Sequence, residues 1–411
     1  MIDHVAVVGA SLAGLRACET LRTDGFAGRI SLIGAESHLP YDRPPLSKKL
    51  LAGEWEPERI ALRKPDDFAS LGLDLHLGVR ATALDTVDQT LSLSSGIDLR
   101  YDGLVIATGA GVRRLPDQPT FRGICVLRTL DDALQLRALL LPGARVVVIG
   151  AGFIGLEAAA TAKQAGCDVT VLEGAAAPLM RALGVEMGTA VASVHARNSV
   201  DLRCGVQVQR IEGSGSGVTG VRLGDGSLVA ADVVLVGIGV APATAWLAGS
   251  GLEVRDGVVC DAFLRTAAPG VSAAGDCARW PNGLFGAPGV GEEMRVEHWT
   301  NAAEQGAAAA KNLLAEAQGG ELVPYDAVPF FWSDQFDSRI QFLGRPHGDD
   351  EVRVIAGSTD GAFAAFYGHA GRLRAVLGVN MPRLVMPVRK LLMARAAWAE
   401  ALEHAERATQ A

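Results

Sequence analysis

Arg145-Val146-Val147-Val148-Ile149-Gly150-Ala151-Gly152-Phe153-Ile154-Gly155 is the stretch that decides how this chain folds. A short β-branched run closed by glycine predicts a buried strand. The alanine-rich residues from Phe153 to about Gln164 predict a helix, and Asp168 to Glu173 a second strand. Strand, glycine turn, helix and strand within about 30 residues make a βαβ unit. The same order stands earlier in the chain: Val5-Ala6-Val7-Val8, then Gly9-Ala10-Ser11-Leu12-Ala13-Gly14, a helix to about Thr23 and a strand from Arg29 to Gly34. The leading glycines lie 141 positions apart, too far for a solenoid repeat, so each copy predicts a domain of its own.

Each unit is followed by a short apolar strand that closes on glycine. After the first comes Gly103-Leu104-Val105-Ile106-Ala107-Thr108-Gly109, and after the second Val233-Val234-Leu235-Val236-Gly237-Ile238-Gly239. These are read as the places where the chain crosses between domains. A further strand and turn, Gly270-Val271-Ser272-Ala273-Ala274-Gly275-Asp276, would return it to the first domain. The expected division is residues 1–112 with 244–322 for the first domain, 113–243 for the second and 323–411 for a third. Short aromatic strands (Pro329–Trp332, Ile340–Leu343, Phe363–Tyr367) and an Ala-rich helix over Leu384 to Ala408 give the third domain an α+β character.

Composition agrees with this plan. The chain has 411 residues, more than one ordinary core accommodates. Its 49 glycines are about twenty more than average usage of ~7% gives, as repeated tight strand-to-helix turns require. The net charge of −8 argues against nucleic acid as a partner. The six cysteines contain no C-x-x-C pair, which argues against a disulfide framework, a zinc site and a dithiol centre. The most apolar stretch, Val146 to Ala162, carries Glu157 inside it, so it does not read as a membrane span. Met1-Ile2-Asp3-His4 has no basic region before its apolar run and does not read as a signal peptide, so a cytoplasmic location is expected.

The turns carry the chemistry. G-x-G-x-x-G at a helix N-terminus aims backbone N–H groups and the positive end of the helix dipole at a pyrophosphate. Gly150, Gly152 and Gly155 match in full; Gly9 and Gly14 match in the first copy, where Ser11 takes the middle position. A carboxylate near each second strand's end would hold a ribose. Glu173 lies 23 residues beyond Gly150; the first copy offers Glu36, although Ala35 could equally be the strand-end position. Two such units imply two dinucleotides. Glu173 would repel a 2′-phosphate, and Gly174-Ala175-Ala176-Ala177-Pro178 contains no arginine to bind one, so NADH is favoured over NADPH.

Tyr41-Asp42-Arg43-Pro44-Pro45-Leu46-Ser47-Lys48 resembles the signature of FAD-dependent ferredoxin reductases from bacterial oxygenase systems. Thr108-Gly109, Gly155-Leu156-Glu157, Ala274-Gly275-Asp276, Val296-Glu297-His298-Trp299 and Phe331-Trp332-Ser333-Asp334-Gln335 match the same family in order, over nearly the whole chain. The resemblance implies an α/β fold of two Rossmann-like dinucleotide-binding domains, glutathione-reductase-like, with a C-terminal α+β domain over the flavin. It implies FAD on Gly9, Ser11, Ala13, Gly14, Glu36, Arg43, Pro45, Lys48, Ala81, Thr108, Gly109, Arg128, Asp276, Glu297 and Trp299. NADH would lie on Gly150, Gly152, Ile154, Gly155, Glu157, Glu173 and Gly237. Lys48 and Glu157 are implied to pair and to act in catalysis, with Trp332 a further candidate beside the flavin. The implied acceptor is a [2Fe–2S] ferredoxin, with rubredoxin the rival, and the enzyme a monomer or homodimer. Arg279, Arg295, Arg339 and Arg345 are candidates for an acidic partner's docking surface. A disulfide reductase shares the two-dinucleotide plan but needs a cysteine between Pro40 and Leu51, where there is none. A redox sensor that changes association on NADH reduction is the other class left open.

Overall fold

A computed structural model describes residues 2–287 and 289–410. The chain divides into two compact units: residues 1–42, 60–111 and 241–330 form one, and 43–59, 112–240 and 331–411 the other.

In the first unit a five-stranded parallel sheet runs Val271–Ala273, Gly103–Ile106, His4–Val8, Arg29–Gly34, Leu73–Leu77. Both faces of its centre are covered, so Val5, Ala6, Val7, Ile30, Leu32, Leu104, Val105 and Ile106 are all buried in one run rather than alternating. Each such valine, leucine or isoleucine side chain contributes about 1.5–3 kcal/mol by leaving water. The helix Leu12–Thr23 makes the crossover that joins the first two parallel strands. It packs on the helix Trp299–Gln318, and glycine sets their approach: a Cβ on Gly306 would overlap the Ala13 carbonyl. An antiparallel meander, Ala81–Asp85, Thr90–Leu93 and Asp98–Arg100, completes much of this unit.

The second unit repeats the arrangement. Its parallel sheet runs Asp201–Cys204, Asp168–Glu173, Arg145–Ile149, Val233–Val236, Ile124–Cys125. The helix Phe153–Gln164 makes the crossover. The same unit holds a five-stranded sheet in the order Phe330–Gln335, Ser338–Gly344, Arg372–Val379, Phe363–His369, Glu351–Gly357. Phe342, Phe363, Phe366 and Tyr367 fill its core, and the Tyr367 hydroxyl donates to the Leu183 carbonyl at 3.0 Å.

The C-terminal helix expected over Leu384 to Ala408 is three pieces: Pro382–Val385, Val388–Met393 and Trp398–Gln410. Pro387 interrupts the first junction, because its ring clashes with a preceding carbonyl and it lacks an N–H. At the second, Arg395 adopts φ 53°, and the segment is fastened to the start of the central strand Arg372–Val379 instead. Leu373 N–H donates to Ala396 and Trp398 N–H to Gly371.

Among the described residues no helix is long and apolar enough to cross a membrane. All six cysteines are free; five are buried and Cys204 is half-buried.

Candidate functional site

The two glycine turns are built alike. Gly9 has φ +124° and Gly150 φ +105°, a region open to glycine. A Cβ there would overlap the carbonyls of Ala107 and Gly237 respectively, the strands that follow each unit. A Cβ on Gly14 would overlap the Gly9 carbonyl, and one on Gly155 the Gly150 carbonyl, so the third glycine lets each helix sit directly on its turn. The middle position behaves differently. A Cβ on Gly152 meets nothing within 4 Å, so its backbone faces open space. That is the place where a phosphate approaches main-chain N–H groups at the start of a helix, and it fits a dinucleotide. Ser11 is the N-cap of its helix in the corresponding place, and its side chain makes no capping bond.

The carboxylates differ between the copies. Glu173 ends its strand and accepts the N–H of Ala151 at 2.7 Å and of Ala175 at 2.8 Å, one on each oxygen. These bonds fix it at the mouth of the turn, and an ionised carboxylate keeps two further acceptor sites for ribose hydroxyls. Gly150 N–H donates to Leu172, and Gly9 N–H to Ile33. By that equivalence Gly34 occupies the place of Glu173 in the first copy. The carboxylate arrives two residues later as Glu36, half-buried and accepting from the Tyr41 hydroxyl at 2.5 Å, while Ala35 is exposed.

Within the first unit, Gly9, Ser11, Ala13 and Gly14 form one cradle. Thr108 Oγ donates to the Ala243 carbonyl at 2.9 Å, and Gly109 accepts the Ala243 N–H. Asp276 stands in a 3-10 turn after the strand Val271–Ala273, its carbonyl bonded to Arg295. Arg295 also pairs with Glu297 at 2.6 Å. Trp299 opens the helix Trp299–Gln318, and its indole N–H donates to Asp42 at 2.7 Å. Ala81 starts the meander and is half-buried.

Arg43, Pro45, Lys48 and Arg128 belong to the second unit. Arg43 donates to the Arg128 carbonyl at 2.6 Å, and Arg128 immediately precedes the Thr129 capping box of the helix Leu130–Arg137. In the second cradle Ile154 is 45% exposed, on the open side of the turn, and Gly237 packs against Gly155.

Lys48 and Glu157 meet directly. The ammonium is 2.8 Å from Glu157 Oε2 and 3.2 Å from the Pro44 carbonyl; the side chains are 17% and 5% exposed. A carboxylate so buried requires several donors. Ser47 Oγ supplies one to Oε2 at 2.5 Å and Ser333 Oγ another to Oε1 at 2.6 Å. Behind Ser333 the chain of polar contacts continues: Gln335 Nε2 donates to Ser333 at 3.1 Å, and His195 Nε2 donates to Gln335 Oε1 at 2.9 Å. Thr161 Oγ, one turn along the helix from Glu157, donates to the Ser47 carbonyl at 2.8 Å and fixes that segment. Ser47, Thr161, Ser333, Gln335 and His195 were not among the expected site residues. Ser47 lies inside the quoted motif Tyr41–Lys48, and Ser333 and Gln335 inside Phe331–Gln335, whereas Thr161 and His195 stand in no motif quoted above.

Among the arginines considered for docking, Arg279, Arg295 and Arg339 are engaged in ion pairs. Arg279 pairs with Glu293, Arg295 with Asp256 and Glu297, and Arg339 with Asp334.

Residues 3–306 match the pyridine nucleotide-disulphide oxidoreductase family, and residues 330–409 the reductase C-terminal family. The chain belongs to the first and carries the second. Rhodocoxin reductase of Rhodococcus erythropolis is 38% identical over 390 residues, covering 94% of this chain and 89% of that one. Putidaredoxin reductase of Pseudomonas putida is 38% identical over 386 residues, covering 92% and 89%. The solved covalent putidaredoxin reductase–putidaredoxin complex matches with a TM-score of 0.90 at 36% identity, over 100% of this chain and 99% of that one. The expected fold class, two Rossmann-like domains followed by a C-terminal α+β domain, therefore holds. The chain is an oxidoreductase, and its cofactors are FAD and NADH.

Proposed function

We propose that this protein takes electrons from NADH through FAD and hands them singly to a [2Fe–2S] ferredoxin that serves an oxygenase. The observation that carries the proposal is the buried Lys48–Glu157 pair, set beside a complete dinucleotide turn in a chain whose relatives are named as reductases of ferredoxin-dependent oxygenase systems. When bound, the nicotinamide would supply a hydride, and the flavin would pass on its two electrons one at a time and release its proton to solvent.

The chain's own residues bind, orient and balance charge. The first cradle, with Glu36, Thr108, Gly109, Asp276, Glu297 and Trp299, holds FAD. Ala81, Arg43, Pro45 and Arg128 add contacts to it. The second cradle, Gly150, Gly152, Ile154 and Gly155 with Gly237, holds NADH, and Glu173 takes its ribose. A lysine ammonium has three donors, of which Pro44 and Glu157 use two, so Lys48 has one to offer a ligand. Its positive charge stabilises negative charge that develops close to it. Glu157 holds Lys48 in place, and Ser47 and Ser333 hold Glu157.

The division of labour is FAD on residues 1–112 and 244–322, NADH on 113–243, and a C-terminal domain from 323. The enzyme works in the cytoplasm as a monomer or homodimer. Thiol chemistry has no part in this reading. Burial pushes the Cys18 and Cys125 thiols up to about 12 and 11, and it also raises Cys260 and Cys277.

The test is stopped-flow mixing of the FAD-loaded protein with NADH or NADPH, followed by a panel of [2Fe–2S] ferredoxins and rubredoxins. Rapid bleaching by NADH, slow bleaching by NADPH and turnover with a ferredoxin are expected. Turnover with rubredoxin alone would reassign the acceptor, and none with any small acceptor would make the protein a sensor. Glu173→Ala is expected to raise the Michaelis constant for NADH more than it lowers turnover. Unchanged NADH kinetics would remove Glu173 from the ribose site.

A further inference from the structure

The last sheet carries a side-chain cluster that the electron-transfer reading does not use. His347, Asp350 and His369 each offer one ligand-type atom, and these atoms all lie within 4.8 Å of one another. The backbone makes the arrangement. Glu351 pairs with Gly368 at the end of the antiparallel strands Glu351–Gly357 and Phe363–His369, which puts Asp350 opposite His369. The turn that precedes the first of these strands is closed by the His347 N–H donating to Asp350 Oδ2 at 2.7 Å, and this brings His347 over the same spot. The two imidazole rings lie with centroids 4.2 Å apart.

The independent observation is the other oxygen of that carboxylate. The Asp350 side chain is 2% exposed, and its Oδ1 is buried without a hydrogen-bond partner. A buried carboxylate oxygen in that state is costly, and it lies 3.5 Å from His369 Nδ1. Ligands at about 2.0–2.2 Å from a tetrahedral zinc stand about 3.3–3.6 Å apart, so these two atoms already have the spacing of one edge of such a site. His347 accepts the Asp349 N–H on Nδ1 over 3.4 Å, which leaves Nε2 as its stronger ligand atom. The ring is exposed, and from within 4.8 Å of the other two ligand atoms it has to move closer to complete the site.

We propose that His347, Asp350 and His369 form a binding site for a divalent transition-metal ion of the zinc type, with three protein ligands and a fourth position open to solvent. The donor set selects the class: two imidazoles and a carboxylate suit zinc, copper or nickel, whereas magnesium and calcium call for oxygen donors alone. Arg374, on the neighbouring strand Arg372–Val379, donates to the Arg345 carbonyl at 3.3 Å and adds a positive charge close by, which moderates the affinity. The site ties the 345–350 turn to the end of the strand Phe363–His369. It does not rest on the assignment of NADH or ferredoxin.

The experiment uses untagged FAD-loaded protein, stripped with EDTA, desalted and titrated with zinc chloride by isothermal calorimetry. One zinc per chain is expected, with nickel competing for the same site and magnesium not. His347→Ala and His369→Ala are each expected to weaken binding at least tenfold, since loss of a mere outer-shell partner costs about 10–100-fold. Zinc should raise the melting temperature of the parent protein and leave that of the double variant unchanged. No uptake by the parent, or equal uptake by both histidine variants, would overturn the site. A fall in melting temperature of the variants in EDTA, with no response of the parent to zinc, would also overturn it and make the cluster a turn lock.

Discussion

A double-mutant cycle on Lys48 and Glu157 measures whether the pair holds this part of the fold. At 2.8 Å and an effective dielectric of about 20, the Coulomb attraction is about 6 kcal/mol. Desolvation of two charges that are 17% and 5% exposed removes most of that. Ser47 and Ser333 also continue to support Glu157 when Lys48 is gone, so the net coupling is expected at about 2 kcal/mol. That is about a thirtyfold change in an equilibrium constant. Lys48→Met keeps the side-chain volume and Glu157→Gln keeps the hydrogen-bonding shape, so each removes the charge with little change of packing. Urea denaturation of the FAD-loaded parent, both single variants and the double variant gives the coupling. Each single variant should lose stability, and the double should lose about 2 kcal/mol less than their sum. Stopped-flow reduction by NADH, run on the same four proteins, should slow in both single variants with FAD retained. Additivity within about 0.5 kcal/mol would refute the argument, because it would mean the two charges do not interact where they stand.

The glycines at the two turns should separate the two nucleotides. Gly9→Ala forces a side chain into φ +124° and onto the Ala107 carbonyl, so FAD retention should fall; Gly150→Ala does the same against Gly237, so NADH reduction should slow while flavin content stays intact. Equal loss of FAD in both variants would contradict the assignment of one nucleotide to each turn. Burial depresses the His195 pKa below its ordinary value near 6.5, against the opposing bond to Gln335. The unfolded chain therefore binds more protons below that pH, and the stabilisation present above it is lost as the pH falls through the folded-state value. His195→Gln should flatten the acid limb of a urea-midpoint profile; an unchanged limb would show that His195 does not titrate on unfolding.

The fold was legible because its signals are local and repeated. Val146 to Ile149 and Val5 to Val8 are continuous apolar runs closed by glycine, and parallel strands covered on both faces are written that way. The strands Arg29–Gly34 and Asp168–Glu173 fall where period and turn residues place them. The C-terminal helix was misread for the opposite reason. Its alanines favour helix throughout, and the breaks at Pro387 and Arg395 depend on how the segment docks against Gly371 and Leu373, which local propensity does not contain.

The site divides along the same line. Glu173 stands out because a strand end and a glycine turn are adjacent in sequence, whereas Glu36 is displaced by two residues because its equivalent position is Gly34. Lys48 and Glu157 came from motifs 109 positions apart, and no local pattern pairs them. What makes the pair possible is less visible still. Glu157 lies in an alanine-rich helix whose neighbours are all buried, an environment hostile to a charge. It is tolerated because donors arrive from two distant segments, Ser47 and Lys48 after the Pro44-Pro45 turn and Ser333 on the first strand of the last sheet. Each donor is an ordinary residue in its own segment. The carboxylate therefore links 43–59, the helix Phe153–Gln164 and the sheet from 330 onward, and removal of any one donor leaves the same buried charge short of a partner. For that reason Ser333→Ala should resemble Lys48→Met in direction, although serine carries no charge.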